Sequence, residues 1–173
     1  MNTLSEALGE SQGLGLLGDR PIDEVIDHAR SFVEALDEVT GTVLDLGSGG
    51  GVPGLVVAAD RPDLSVTLLD RRMKRTDFLE RIVSSLGWSD RVRVLTADAA
   101  RVAVETPFDA VVARGFGPPE RTLRIAARFV VRGGLIVVSE PPSGDRWPPA
   151  LLADLGFTRR ASNPRVACFE SLR

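Results

Sequence analysis

Residues 43–54 read Val43-Leu44-Asp45-Leu46-Gly47-Ser48-Gly49-Gly50-Gly51-Val52-Pro53-Gly54. A short apolar run ends in five glycines, and a helical run, residues 55–60, follows. An apolar run without alternation marks a strand buried on both faces, as in a parallel sheet. Glycines after it permit positive φ and close approach of backbone to a ligand. Strand, glycine turn and helix form the first part of a βαβ unit. The literal G-x-G-x-x-G at residues 49–54 fits a nucleotide-bearing ligand.

Outward from this stretch, strands and helices alternate. The pattern predicts strands over 42–46, 65–69, 91–96, 109–113 and 135–139. Helices are expected over 55–60, 73–86, 119–131 and 148–155, with a short helix over 99–104. Two closing strands, 157–160 and 165–169, are separated by four residues. No helical crossover fits in so short a link, so these two must form a hairpin. The expected fold is α/β: a Rossmann-like, mostly parallel seven-stranded sheet with one antiparallel strand and helices on both faces. Ahead of it, residues 1–20 carry four glycines and predict a short helix and a loose connection. From Pro21 the apolar residues Ile22, Val25, Ile26, Ala29, Phe32, Val33 and Leu36 recur at helical spacing. The expected organisation is an N-terminal helical segment, 1–40, packed on a ligand-binding domain, 41–173.

The chain has 173 residues, 43% hydrophobic and 26% charged, which suits one globular domain. No apolar run approaches the roughly 18 residues of a membrane span, and no signal peptide is expected. With one cysteine, Cys168, and one histidine, His28, neither an internal disulfide nor a Cys/His metal site is expected. A cytoplasmic monomer is the simplest expectation. The net charge of −3 argues against a general nucleic-acid binder. It is unevenly spread. Residues 1–40 hold nine acids and two bases, while residues 41–173 hold fifteen acids and nineteen bases.

Ligands of open parallel sheets sit at the carboxyl ends of strands. Asp70 ends the second strand, 19 residues after Gly51, where a carboxylate can accept both hydroxyls of a ribose. It equally suits a helix cap. Asp98 follows the third strand and could accept from an adenine amino group, with the Ala99 N–H offered to the ring, or could cap a helix. Together these residues suggest an adenosine-containing cofactor, either a dinucleotide or S-adenosyl-L-methionine. Asp45 discriminates. An acid inside the first strand would repel a pyrophosphate but could hold the amino-acid end of S-adenosyl-L-methionine.

The run Leu44–Gly54, then Arg61-Pro62, Leu68-Leu69-Asp70 and Lys74-Arg75 before Phe78-Leu79, resembles the RsmG/GidB methyltransferases. That family uses S-adenosyl-L-methionine to methylate a guanine N7 in small-subunit (16S) ribosomal RNA. The resemblance implies that Gly47, Gly49, Gly51 and Gly54 line the cofactor's amino-acid and ribose end. It places Asp70 at the ribose and Asp98 and Ala99 at the adenine. Ala113-Arg114-Gly115-Phe116 resembles the family's segment after strand four, which sets Arg114 beside the transferred methyl and the base, as the catalytic residue. Asp45, Arg71 and Arg114 complete the expected cofactor set. The sequence departs from the family at Gly115, where Ala is usual, at Ser139-Glu140, and after His28, where the family's Asp is missing.

Attack by a guanine N7 lone pair needs no general base, in keeping with a chain that has one histidine. Lys74, Arg75 and His28 are the candidate RNA contacts, and small-subunit RNA or the subunit itself is the candidate partner. Arg71, Arg72, Lys74 and Arg75 open a helix against its macrodipole, which costs stability and suggests a functional reason. Arg121, Arg124, Arg128 and Arg132 share a second helix face. The sequence leaves open a small-molecule or protein methyltransferase and a non-catalytic S-adenosylmethionine-binding protein.

Overall fold

The computed structural model describes residues 3–141 and 146–173. Its centre is a seven-stranded sheet: β1 (Thr42–Leu46), β2 (Ser65–Asp70), β3 (Val92–Thr96), β4 (Phe108–Ala113), β5 (Val130–Ser139), β6 (Phe157–Arg160) and β7 (Val166–Ser171). The order across it is β3-β2-β1-β4-β5-β7-β6. Pairings from β3 through to β5 are parallel, while β7 runs antiparallel to both β5 and β6. The expected hairpin and single antiparallel strand are both present.

Side-chain alternation divides the core. Val43, Val66, Leu68, Ala110 and Val112 face one apolar cluster, and Leu44, Leu46, Leu69, Val111 and Ile136 face the other. Helices α1 (Leu4–Gly13), α2 (Ile22–Ala35), α3 (Gly54–Asp60) and α4 (Met73–Ser85) cover the first face. Helices α5 (Pro119–Ala126) and α6 (Pro149–Leu155) cover the second. The first helix starts at a capping box: the Thr3 side chain accepts from the Glu6 N–H, and Glu6 accepts from the Thr3 N–H. Ala7 and Leu8 of α1 and Phe32 of α2 are fully buried in the same cluster as β1 and α3. No described helix is long and apolar enough to cross a membrane.

Two expectations need correction. The helix expected over 119–131 stops at Ala126, and Val130 already pairs with Phe108 in the sheet. Between Val130↔Phe108 and Leu135↔Ala110 the longer strand bulges. Gly134 makes this feasible, since a side chain there would stand 2.7 Å from the Asp109 carbonyl. The helix expected over 99–104 is a single turn. Asp98 O accepts from Arg101 and Val102 N–H, but Arg128, just past the end of α5, binds the Ala99 and Val102 carbonyls at 2.6 and 2.8 Å. Two acceptors that a longer helix would use are thereby occupied.

Candidate functional site

Successive strands progress away from β1 in one direction through β2 and β3, and away from β4 in the other. The loops leaving the carboxyl ends of β1 and β4 therefore part. A crevice at such a switch point is where open α/β sheets hold ligands. Here a cleft of about 310 Å³ is lined by Gly47, Asp70, Arg71, Asp98, Ala99, Phe116 and Arg121, among others.

The glycine turn builds its floor. Gly47 takes φ +79°, and the Gly47 and Ser48 N–H groups both donate to the Leu69 carbonyl, at 2.8 and 2.9 Å. A side chain on Gly47 would stand 2.7 Å from the Phe116 ring, so that ring lies directly against the turn. Gly51, at φ +101°, turns the chain into α3, and Gly49 lies beside the Arg75 guanidinium. From behind, the Ser11 hydroxyl of α1 donates to the Gly50 carbonyl at 2.8 Å in a buried contact. Ser11→Ala leaves that carbonyl without its donor. The expected loss is about 1–2 kcal/mol, read as a lower urea midpoint at constant slope.

Asp45 lies one strand position beyond Leu44 and so shares the face of Val43, toward α3. It is 1% exposed. Its Oδ2 accepts from the Gly54 N–H at 3.0 Å, while Oδ1 is buried with no hydrogen-bond partner. Burial pushes this carboxyl up to about 7, although the Ser48 hydroxyl, the Gly54 N–H and the Arg114 charge pull it down. Burial in turn lowers the pKa of Arg114, and Asp45 opposes that shift.

Asp70 is almost fully buried at the end of β2. Its Oδ2 accepts from the Gly49 N–H at 3.0 Å and from Arg75 at 3.2 Å, and its Oδ1 accepts from the Arg72 N–H at 2.9 Å. A carboxylate offers about four acceptor positions. Two here serve to join the glycine turn to the start of α4, and the third holds a mobile type of side chain, an arginine. Asp98 Oδ1 accepts from the Ala100 N–H at 3.0 Å, so it caps its own turn while also lining the cleft.

The expected RNA contacts separate. Lys74 is exposed on the first turn of α4, whereas Arg75 turns inward to Asp70. His28 and Arg114 line a neighbouring cavity of about 720 Å³, and Gly115 borders both spaces. That cavity also gathers Arg20, Arg146 and Arg165, which sequence reading did not single out. They come from three separate segments, and no spacing along the chain announces their meeting. Phe116, part of the segment that resembles the family after strand four, lines the cleft against Gly47. Of the expected basic stripe, Arg121 faces the cleft, Arg124 pairs with Glu120 and Asp154, and Arg128 braces the turn after Asp98.

Residues 7–140 match the family model of GidB, the rRNA small subunit methyltransferase G. The chain belongs to this family. A Ribosomal RNA small subunit methyltransferase G of Nocardioides sp. is 41% identical over 118 residues, covering 66% of this chain and 47% of that protein. One of Acidothermus cellulolyticus is 36% identical over 152 residues, covering 83% of this chain and 66% of that protein. The chain spans about half the length of several of the curated GidB relatives it matches. Among solved structures, the S-adenosylmethionine-dependent methyltransferase SibL in its apo form aligns with TM-score 0.70 at 20% identity, over 98% of this chain and 70% of that one. Coclaurine N-methyltransferase bound to N-methylheliamine and SAH aligns with TM-score 0.62 at 20% identity, over 76% of this chain and 43% of that one. The fold is thus that of Rossmann-like methyltransferases.

Proposed function

We infer that this chain binds S-adenosyl-L-methionine in the crevice and methylates a guanine N7 of small-subunit ribosomal RNA. The observation that carries the cofactor assignment is Asp45. A buried carboxylate with one unpartnered oxygen beneath the glycine turn suits an ammonium group and opposes a pyrophosphate. The RNA assignment draws on relatives that bear the name Ribosomal RNA small subunit methyltransferase G.

When bound, S-adenosyl-L-methionine supplies an electrophilic methyl group on a sulfonium. The chain's own work is to position. The turn at Gly47, Gly49, Gly51 and Gly54 brings backbone close to the amino-acid and ribose end. Asp70 takes the ribose. Since three of its acceptor positions are filled, Arg75 is the partner that must yield; the other two are backbone N–H groups of the turn and the helix start. Arg71, Asp98 and Ala99 border the adenine. Arg114 lines the adjoining cavity next to Gly115, which borders both spaces, and orients the base for in-line attack. Alignment of two reactants is a large part of catalysis when no proton need be removed. Lys74 and His28 face the RNA. In this reading residues 1–40 brace the crevice, supported by the Ser11 bond to the turn, and residues 41–173 carry the cofactor. The chain acts as a monomer in the cytoplasm.

The test is labelled methyl transfer to unmodified small ribosomal subunits, beside naked ribosomal RNA and a metabolite extract. Label in an RNA fraction is expected. Label confined to the extract overturns the substrate. Arg114→Ala should lower transfer by about 100-fold while S-adenosylhomocysteine affinity, measured by calorimetry, stays within about threefold. A matching loss of affinity moves Arg114 from the base to the cofactor.

A further inference from the structure

The cavity beside the crevice collects positive charge from distant parts of the chain. Arg20 comes from the loop before α2, Arg114 from the end of β4, and Arg165 from the start of β7. All three charges act on His28 of α2. Burial first, and then Arg114, Arg165 and Arg20, hold its imidazole below its usual pKa, with Asp27 opposing. The His28 Nδ1 is buried with no hydrogen-bond partner.

Acids engage two of the cavity's four arginines, Arg146 and Arg165, and Glu24, which also lines it, is exposed. Glu140 on the wall is engaged by Arg146 at 3.0 Å and by the Trp147 indole. Arg165 is held by Asp27 at 2.8 Å. Among the described residues, no acceptor lies within hydrogen-bond or ion-pair distance of the Arg20 and Arg114 guanidinium groups. Like charges gathered around one cavity repel one another until an anion joins them. Guanidinium forks suit the paired oxygens of a phosphate. The shared border at Gly115 puts this place next to the crevice.

We propose that the cavity seats a backbone phosphate of the RNA chain beside the nucleotide to be methylated, with Arg20 and Arg114 as its ligands and Arg165 behind them. The proposal rests on the RNA reading above. It assigns a role to Arg20 and Arg165, which lie outside the glycine turn and the strand-end acids. Each such contact displaces counterions, so its loss weakens binding and flattens the salt dependence.

Arg20→Gln is the probe, because Arg20 is exposed and takes no part in the cofactor crevice. Arg93→Gln, on the exposed side of β3, is the control with the same charge change. Affinity for naked unmodified small-subunit RNA is measured across a salt series, and S-adenosylhomocysteine affinity alongside. Arg20→Gln should weaken RNA binding about five- to tenfold at 0.1 M salt and reduce the slope of log K against log salt by about 0.7–0.9, as for one phosphate contact. Arg93→Gln should leave the slope unchanged. Equal effects of the two variants overturn the seat and reduce it to net charge. A drop in S-adenosylhomocysteine affinity with an unchanged RNA slope also overturns it, because the anion is then the cofactor's carboxylate. If the wild-type chain neither binds nor methylates the RNA, the RNA reading itself fails and the seat fails with it. Methyl transfer that persists while Arg20→Gln leaves the slope unaltered removes the seat alone.

Discussion

Gly54→Ala should destabilise the protein by about 3–5 kcal/mol and abolish S-adenosylhomocysteine binding. Gly54 opens α3 and is buried, and its φ is not in the left-handed region, so the requirement there is space. An added methyl would collide with the Leu68 side chain of β2 and with the Asp45 carboxylate. Neither neighbour can retreat, since Leu68 is fully buried and Asp45 nearly so. Overpacking of this kind costs about 1–3 kcal/mol. Moving α3 outward to relieve it would break the 3.0 Å bond from the Gly54 N–H to Asp45. That takes the Gly54 donor from a buried carboxyl, at a further cost of about 1–3 kcal/mol. Gly87→Ala is the contrast. There the space is open and only a φ of +72° opposes the side chain, so about 1 kcal/mol is expected. Urea midpoints at constant slope compare the two. A smaller shift for Gly54→Ala than for Gly87→Ala would show that the turn does not depend on this contact.

Strands buried in a parallel sheet are legible because both faces are apolar. This is why β1 has the expected bounds and β2 and β4 differ by one residue. The same rule failed at Val130 and Val131. Their spacing continues the apolar stripe of α5, and only pairing with Phe108, a contact distant in sequence, draws them into the sheet. The turn after Asp98 failed for a related reason, since the guanidinium that stops it belongs to Arg128, 30 residues on. In the site, glycines and strand-end acids could be read because their positions follow from the strand and turn. Charged side chains could not. Arg75 and Lys74 are neighbours with the same apparent role, but helix geometry turns one toward Asp70 and leaves the other in solvent. Arg20, Arg114 and Arg165 approach His28 only through the tertiary fold.

Asp45 was visible as an acid within an apolar strand, but its unpartnered oxygen was not, and that oxygen leads to the second large effect. Asp45→Asn should stabilise the chain relative to wild type increasingly as pH rises from 5.5 to 8, by about 2 kcal/mol over that window. The sign follows from the direction of the shift. The folded-state pKa is about 7, above the unfolded carboxyl value of about 3.9. Between these values the native state binds more protons than the unfolded state, so wild-type stability falls with rising pH and levels off above 7. Asn keeps an oxygen for the Gly54 N–H but never ionises, so its stability lacks this fall. His28 acts in the opposite sense, because its folded pKa is lowered and its stabilising share grows as pH rises toward 6.5. It is common to both proteins and cancels in their difference. The same substitution should damage function. An ammonium group placed near Asp45 favours the ionised carboxyl, so S-adenosylhomocysteine affinity in the wild type should rise up to about tenfold per pH unit below 7 and level off above it. Asp45→Asn should bind weakly and without that dependence. Denaturant melts and calorimetry at matched pH give both readouts. A stability difference that stays flat from pH 5.5 to 8 would show that Asp45 ionises in the folded chain as freely as in water, and the argument for an ammonium partner would lose its ground.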